Sequence, residues 1–201
     1  MKLEQTNRII IKIGSALLFN ETSGSLNKEW LNSLAEDVKY LRENDKEVII
    51  VSSGAIAMGA KDLDLDMKNM KMDMNQAVSA VGQIHLMGSF KSAFEKNEIK
   101  ISQILLTLDD TEQRRRSINA RRTIDTLLKL GIVPVVNEND TIATSEIRYG
   151  DNDRLASRVA QITSADCLIL LSNINGLYSA DPGPDEDVKL INKVSEIDKD
   201  I

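Results

Sequence analysis

Residues 8–15 read RIIIKIGS, a short run of branched apolar residues that ends in glycine and serine. A near-continuous apolar run of this length is typical of a strand that is buried on both faces. Such strands occur in parallel sheets that are covered by helices. The stretch therefore predicts the first strand of an α/β protein, over residues 8–13.

Outward from this strand, short apolar runs alternate with amphipathic stretches. Helices are expected where apolar residues recur every three or four positions, over 27–44, 77–96, 117–130 and 153–163. Further strands are expected over 48–51, 101–107, 132–136 and 167–171. The alternation predicts a parallel sheet wrapped by helices. We find no repeat or Gly/Ser-rich linker, so the 201 residues are expected to form one domain.

The composition excludes several classes of protein. With 42% hydrophobic and 28% charged residues, the chain is too apolar to be disordered. A net charge of −6 argues against a general nucleic-acid binder. No apolar run is long enough to span a bilayer, and residues 1–8 lack a secretory signal, so no membrane association is expected. Cys167 is the single cysteine, which rules out an intrachain disulfide and favours a cytoplasmic location.

Small and polar residues follow the predicted strands, where parallel sheets bind their ligands. They occupy 12–15, 52–55, 137–140 and 172–176. Backbone N–H groups near Gly14 and Gly54 could approach an oxyanion. Lys12 could place its ammonium group against a phosphate, although a lysine that merely covers apolar surface is the alternative.

Two standard phosphate-binding motifs are absent. Residues 54–59 have the glycine spacing of a Walker loop, but Ala60 stands where lysine should follow and Asp62 replaces the hydroxyl. No G-x-G-x-x-G follows a predicted strand. Any nucleotide would therefore be bound by a different architecture.

Other conspicuous residues have ordinary structural explanations. His85 lacks a partner at metal-ligand spacing and is expected to be structural or on the surface. Cys167 is expected to be a small core residue. The basic run at 114–116 suits a solvated helix start, with an oligomer contact or an anionic effector as the alternative. The methionine-rich segment at 67–74 suits a surface loop with gap-filling methionines, with a mobile lid as the alternative.

Five motifs in order resemble the glutamate 5-kinase family of the amino acid kinase superfamily. They are IKIGS at 11–15, SSGAIAMG at 52–59, AVGQ at 80–83, NEND at 137–140 and GDND at 150–153. The resemblance implies a three-layer α/β/α sandwich with a mainly parallel central sheet. It also implies phosphoryl transfer from ATP, with Mg²⁺, to the side-chain carboxylate of L-glutamate, the first step of proline biosynthesis. A homo-oligomer, with proline as a feedback effector, is implied as well, and neither nucleic acid nor membrane is an implied partner.

The same resemblance assigns roles to individual residues. The glutamate-binding residues would be Ser53, Asp140 and Asn152. Lys12 would contact the transferring phosphate, and Asp153 would organise the catalytic charges. The groups near the nucleotide would be Lys12, Gly14, Ser172 and Asn173. No residue is assigned as a metal ligand.

The resemblance implies one amino acid kinase domain over 1–201. Its substrate-binding part would be 1–165, and 166–201 would begin an incomplete nucleotide-binding part. Two departures accompany it: Asn173 stands where relatives often have aspartate, and the chain ends before the family's glycine-rich segment and the lysine after it. Turnover by these 201 residues alone is therefore expected to be very low. Two alternatives stay open: a catalytically silent glutamate-binding or interaction module, and another branch of the amino acid kinases. The NEND and GDND motifs together favour glutamate as substrate over the substrate of another branch.

Overall fold

The structure, a computed structural model, describes residues 3–20, 24–68, 70–143, 151–180 and 188–196, without the side chain of Asp151. The strands are β1 (Arg8–Ile13), β2 (Glu47–Val51), β3 (Ile101–Leu106), β4 (Val133–Glu138) and β5 (Cys167–Leu171). The helices are α1 (Ser15–Leu18), α2 (Lys28–Glu43), α3 (Ala55–Asp62), α4 (Met72–Glu95), α5 (Leu108–Glu112), α6 (Arg114–Lys129) and α7 (Asp151–Thr163). A single 3-10 turn, Leu3–Gln5, precedes β1.

The five strands form one sheet in the order β3-β4-β2-β1-β5, and every pair is parallel. On one face, Ile9, Ile11 and Ile13 of β1 pack in a cluster with α2 and α4. On the other face, Ile10 packs in a cluster with α6 and α7. The predicted three-layer α/β/α architecture is confirmed.

Alternation along the strands decides which helical layer each polar side chain meets, because successive side chains point to opposite faces. Lys12 shares the face of Ile10 and therefore lies on the α7 side of the sheet. In β4, Asn137 shares the face of Val133 and Val135, which pack with the α4 layer. The two polar side chains thus enter the edge of the sheet from opposite layers.

Helices α3 and α4 approach each other through glycines. A methyl group at Gly82 of α4 would overlap backbone atoms of Ala55 and Gly59 in α3, and one at Gly59 would overlap the backbone of Val78. The two backbones are therefore in direct contact. This contact holds α4 against the segment that follows β2.

Several element bounds differ from those predicted. α4 begins at Met72, five residues before the expected start, because its first turn lacks the apolar spacing from which the helix was predicted. Met67 lies in a surface loop as expected, whereas Met72 and Met74 belong to α4. All three methionine side chains are exposed and do not fill gaps in the core. Asn69 lies outside the described residues. α1, α3 and α5 were not anticipated.

The remaining ordinary expectations agree with the structure. Arg114, Arg115 and Arg116 are exposed in the first turn of α6. Cys167 is partly buried against the cluster on the α2 and α4 side. His85 is about half exposed and pairs with Asp62, with 3.2 Å between Nε2 and Oδ2.

By its internal contacts the chain divides into two units, residues 1–171 and 172–201. The first unit contains the whole sheet and all seven helices named above. In the second, Tyr178 and Leu190 form an antiparallel bridge. None of the helices formed by the described residues has the length and apolar character needed to cross a membrane.

Candidate functional site

Polar groups gather where three neighbouring strands, β4, β2 and β1, reach their carboxyl ends. The Ser53 hydroxyl donates a hydrogen bond to the carbonyl oxygen of Ile13 at 2.9 Å, which joins the segment after β2 to the end of β1. Asn152, in the first turn of α7, donates from Nδ2 to the carbonyl oxygen of Ser52 at 2.8 Å. Segments far apart in the sequence therefore meet at one edge of the sheet.

Lys12 and Asp153 form an ion pair at this edge. The distance from Lys12 Nζ to Asp153 Oδ1 is 2.6 Å. The Lys12 side chain is 12% exposed, whereas that of Asp153 is 48% exposed. The long lysine stem is thus packed within the fold, and its charge is held by a carboxylate that remains open to solvent. Such a pair can present a fixed positive charge to an anionic ligand.

Gly14 lies directly after Lys12, and its N–H donates to the carbonyl oxygen of Leu171 at 3.1 Å. That N–H group already belongs to the β1–β5 pairing, so Gly14 keeps the end of β1 close to β5. Gly54 has φ +95°, a left-handed conformation that suits glycine, and it caps the N-terminus of α3. Gly54 thus makes the tight turn between the segment that follows β2 and the start of α3.

Asp140 is buried just beyond β4. The Ser79 hydroxyl of α4 donates to Asp140 Oδ2 at 2.5 Å. Burial raises the pKa of Asp140, and the hydrogen bond from Ser79 opposes that rise. A carboxylate that is costly to keep charged gains most from a cationic partner, so Asp140 is suited to receive an ammonium group.

Three side-chain amides form a chain across the site. Asn137 Nδ2 donates to Gln83 Oε1 at 2.7 Å, and Asn152 Nδ2 donates to Asn137 Oδ1 at 3.3 Å. Gln83 and Ser79 are one turn apart on α4, so the same helix face supports both Asn137 and Asp140. The residues of the NEND segment are therefore held by α4 from one side, and Asn152 of α7 joins them through Asn137.

Sequence reasoning missed Ser79 altogether and assigned no role to Gln83, although it quoted the AVGQ motif. The available signal was a polar pair at positions i and i+4 on the apolar face of a helix, between Val78 and Leu86. Both polar residues are buried. Buried polar side chains at helical spacing predict polar partners on the elements that face the helix, but not which residues these are.

Other residues singled out from the sequence belong to the second unit or lie outside the described residues. Ser172 and Asn173 begin the second unit, where the Ser172 hydroxyl donates to Asn173 Oδ1 at 3.4 Å. Gly150 lies outside the described residues, as does the side chain of Asp151. In the described part of the chain, no group of three or more His, Cys, Asp or Glu could hold a metal ion.

A separate groove of about 590 Å³ lies between α2 and α4. Its lining includes Leu31, Ile84, His85 and Lys96 and contains none of the residues of the polar edge. His85, which lines the groove, is two positions from Gln83 on α4 and therefore points to the opposite side of the helix. We therefore assign the candidate site to the polar edge of the sheet.

Comparison with known proteins shows which family this chain belongs to. Residues 7–199 match the model of the Amino acid kinase family. A curated protein named Glutamate 5-kinase from Pelagibacter ubique is 58% identical over 201 residues, which are 100% of this chain and 54% of that protein. Glutamate 5-kinase 1 of Mesorhizobium japonicum is 54% identical over 199 residues, 99% of this chain and 52% of that protein. The chain thus spans about half the length of the curated relatives that it matches.

A solved structure has a similar fold. The isopentenyl phosphate kinase of T. acidophilum, determined as a product complex, aligns with a TM-score of 0.61 over 90% of this chain and 77% of that one. Sequence identity is 16%, so this likeness concerns the fold alone.

Proposed function

This chain belongs to the amino acid kinase family, and on that premise we propose that it carries the glutamate-binding site of an ATP-dependent glutamate 5-kinase. The reaction would transfer the γ-phosphoryl group of Mg·ATP to the side-chain carboxylate of L-glutamate. It would yield glutamyl 5-phosphate and ADP, as the first step of proline biosynthesis. The two curated relatives carry that name, which supports the choice of substrate.

The observation that carries the proposal is the presence of two opposite charges on one edge of the sheet. Lys12 offers a cation at the end of β1, and Asp140 offers a buried carboxylate beyond β4. An amino acid with a reacting carboxylate needs both, since its α-ammonium group pairs with a carboxylate and the transferring phosphoryl group pairs with a cation. We assign glutamate binding to Ser53, Asp140 and Asn152.

The residue types suit this chemistry. A glutamate side chain, with an ordinary pKa of about 4.3, is already ionised at neutral pH and requires no general base. The demand is instead for alignment and for screening of the negative charges of carboxylate and triphosphate. Lys12 would provide part of that screening, and Asp153 would hold its ammonium group in place.

ATP would bring Mg²⁺ with it as part of the substrate. Magnesium in such sites takes one or two carboxylates together with phosphate oxygens. Asp153 is the carboxylate that adjoins Lys12 and is open to solvent, so it could contribute one oxygen. Ser172, Asn173 and the backbone around Gly14 are proposed to lie near the nucleotide.

Hydroxamate trapping of the acyl phosphate in the full-length protein tests the proposed reaction. Glutamate should give product, whereas aspartate should give little. Loss of one methylene prevents the α-ammonium group and the reacting carboxylate from reaching their partners together. Equal turnover of the two amino acids would move the protein to another branch of the family, and no acyl phosphate from either would overturn the proposal.

Asp140→Asn should raise the glutamate KM by at least about 30-fold, because a buried cation then loses its charged partner. The KM for ATP should change by less than about twofold. Asp37→Asn, on the exposed face of α2, is the matched control and should leave both values unchanged. Calorimetry that shows equal glutamate affinity for Asp140→Asn and the parent would remove Asp140 from the site.

Ser79→Ala should move the pH dependence of glutamate binding upward. Asp140 binds an ammonium group only when ionised, so affinity is present above its pKa and is lost as the pH falls through it. Removal of the Ser79 hydroxyl withdraws a hydrogen bond from the charged form, and the pKa rises further. Calorimetry over a series of pH values should place the loss of affinity about one pH unit higher in the variant.

The control for this experiment is Ser89→Ala, a partly buried serine of the same helix whose hydroxyl donates to the carbonyl oxygen of His85. Its profile should coincide with that of the parent. A Ser79→Ala profile that also coincides with the parent would show that this hydrogen bond does not govern the ionisation of Asp140.

A further inference from the structure

Gln83 is buried in a part of α4 that otherwise packs apolar side chains. It is 8% exposed, and one and two turns further along the helix Leu86 and Phe90 are fully buried. Its Oε1 accepts from Asn137, but its Nε2 is buried without a hydrogen-bond partner in the described part of the chain. A buried amide hydrogen without a partner destabilises a fold. A methionine would fill similar space without that cost, so packing alone does not explain a glutamine here.

The Gln83 carbonyl determines the orientation of the next amide. Because Asn137 Nδ2 donates to Gln83 Oε1, the Asn137 carbonyl oxygen points the other way, toward Asn152. Asn152 Nδ2 then donates both to Asn137 Oδ1 at 3.3 Å and to the carbonyl oxygen of Ser52 at 2.8 Å. An amide NH₂ has two hydrogens, and both are used. The polar atom that remains on the Asn152 side chain is Oδ1.

We propose that Gln83 is a positioning residue for the amino acid substrate: acting through Asn137, it orients Asn152 so that Oδ1 is left to accept from the α-ammonium group. The inference rests on the proposed function and deepens it. Asn152 and Asp140 together would offer acceptors to the ammonium group, and neither would donate to a carboxylate. Without Gln83 the Asn137 amide is free to turn over, and Asn152 Nδ2 then loses one of its two acceptors and is held by the carbonyl oxygen of Ser52 alone.

The first test is Gln83→Met in the full-length protein. The glutamate KM should rise about tenfold, as expected for one misdirected hydrogen-bonding group. Both kcat and the KM for ATP should stay within about twofold of the parent. Gln83→Glu keeps an acceptor for Asn137 and should hold the glutamate KM within about threefold. Gln161→Met is the control; Gln161 is exposed on α7, accepts from Arg158, and should have no effect.

A double variant distinguishes positioning from a general loss of packing. If Gln83 acts through Asn152, adding Gln83→Met to Asn152→Ala should leave the glutamate KM of the single Asn152→Ala variant unchanged. If Gln83 merely supports the fold, the two effects should multiply. Gln83→Met removes an unpartnered buried amide group but also leaves the buried Asn137 Nδ2 without its acceptor, so its melting temperature should stay close to that of the parent.

The outcomes separate this inference from the proposed function. An active parent with an unchanged glutamate KM in Gln83→Met, or with multiplying effects in the double variant, overturns the role of Gln83 alone. If the parent forms no acyl phosphate from glutamate, the proposed function fails.

The orientation of the two amide side chains can be followed directly by the side-chain amide NMR signals of Asn137 and Asn152. These signals should shift in Gln83→Met and stay in place in Gln161→Met, and signals that stay in place in both variants overturn the inference.

Discussion

Lys12→Met should lower kcat in the full-length protein by about 10²-fold or more, with a much smaller change in glutamate affinity. The Lys12 ammonium group is held by Asp153 and is proposed to face the transferring phosphoryl group, where negative charge develops. Methionine retains most of the buried stem and removes the charge. Steady-state kinetics with both substrates, together with calorimetry for glutamate, measure the two effects.

Loss of positive charge in general could also weaken binding of an anionic nucleotide, so a second lysine serves as control. Lys96→Met, at the exposed residue that caps the C-terminus of α4, removes the same charge from the groove between α2 and α4 and not from the polar edge. Its kcat should match that of the parent. A kcat for Lys12→Met within about threefold of the parent would contradict the role proposed for Lys12.

Gly82→Ala should destabilise the protein by about 3 kcal/mol, the upper part of the usual range for overpacking. A methyl group at this position overlaps backbone atoms of Ala55 and Gly59, which no change of rotamer can relieve. The helices must separate, and the gain of about 1 kcal/mol in helix propensity does not offset that separation. The midpoint of urea denaturation measures the loss. Since Ser79 and Gln83 flank Gly82, glutamate affinity should fall as well.

Gly88 supplies the matched control, because it lies in the same helix and an added methyl group would meet no atom within 4 Å. Gly88→Ala should stabilise the protein by roughly 0.5–1 kcal/mol through reduced backbone freedom in the unfolded chain. If Gly82→Ala proved as stable as Gly88→Ala, α3 and α4 would not be in the close contact described.

The strands were the most predictable part of the fold. β1 and β5 have the bounds expected from sequence, because each is a compact apolar run whose ends are marked by a change to polar or small residues. β4 continues two residues beyond its expected end at 136, through Asn137 and Glu138. Polar side chains do not prevent a segment from pairing within a parallel sheet, so the end of the apolar run did not mark the end of the strand.

Helix starts were harder to predict. The first turn of α4 has alternating methionine, aspartate and asparagine, and its capping position is Lys71, whose side chain forms no capping hydrogen bond. Neither the apolar spacing nor a capping residue marks its start. The contact between Gly59 and Gly82 was equally hidden, since a glycine within a helix indicates a close approach only when the neighbouring helix is known.

The sequence by itself determined the α/β class and the order of the elements, since apolar periodicity is a local property. It also placed Lys12 and the NEND and GDND residues at the ends of strands or the start of a helix, where α/β proteins bind ligands. Tertiary structure alone decided that Lys12 meets Asp153, that Ser79 meets Asp140, and that Gln83 supports Asn137. These pairs are separated by 54 to 141 residues along the chain. Their meeting depends on strand order, on the face that each side chain occupies and on the close packing of α3 and α4, which arise only when the layers assemble.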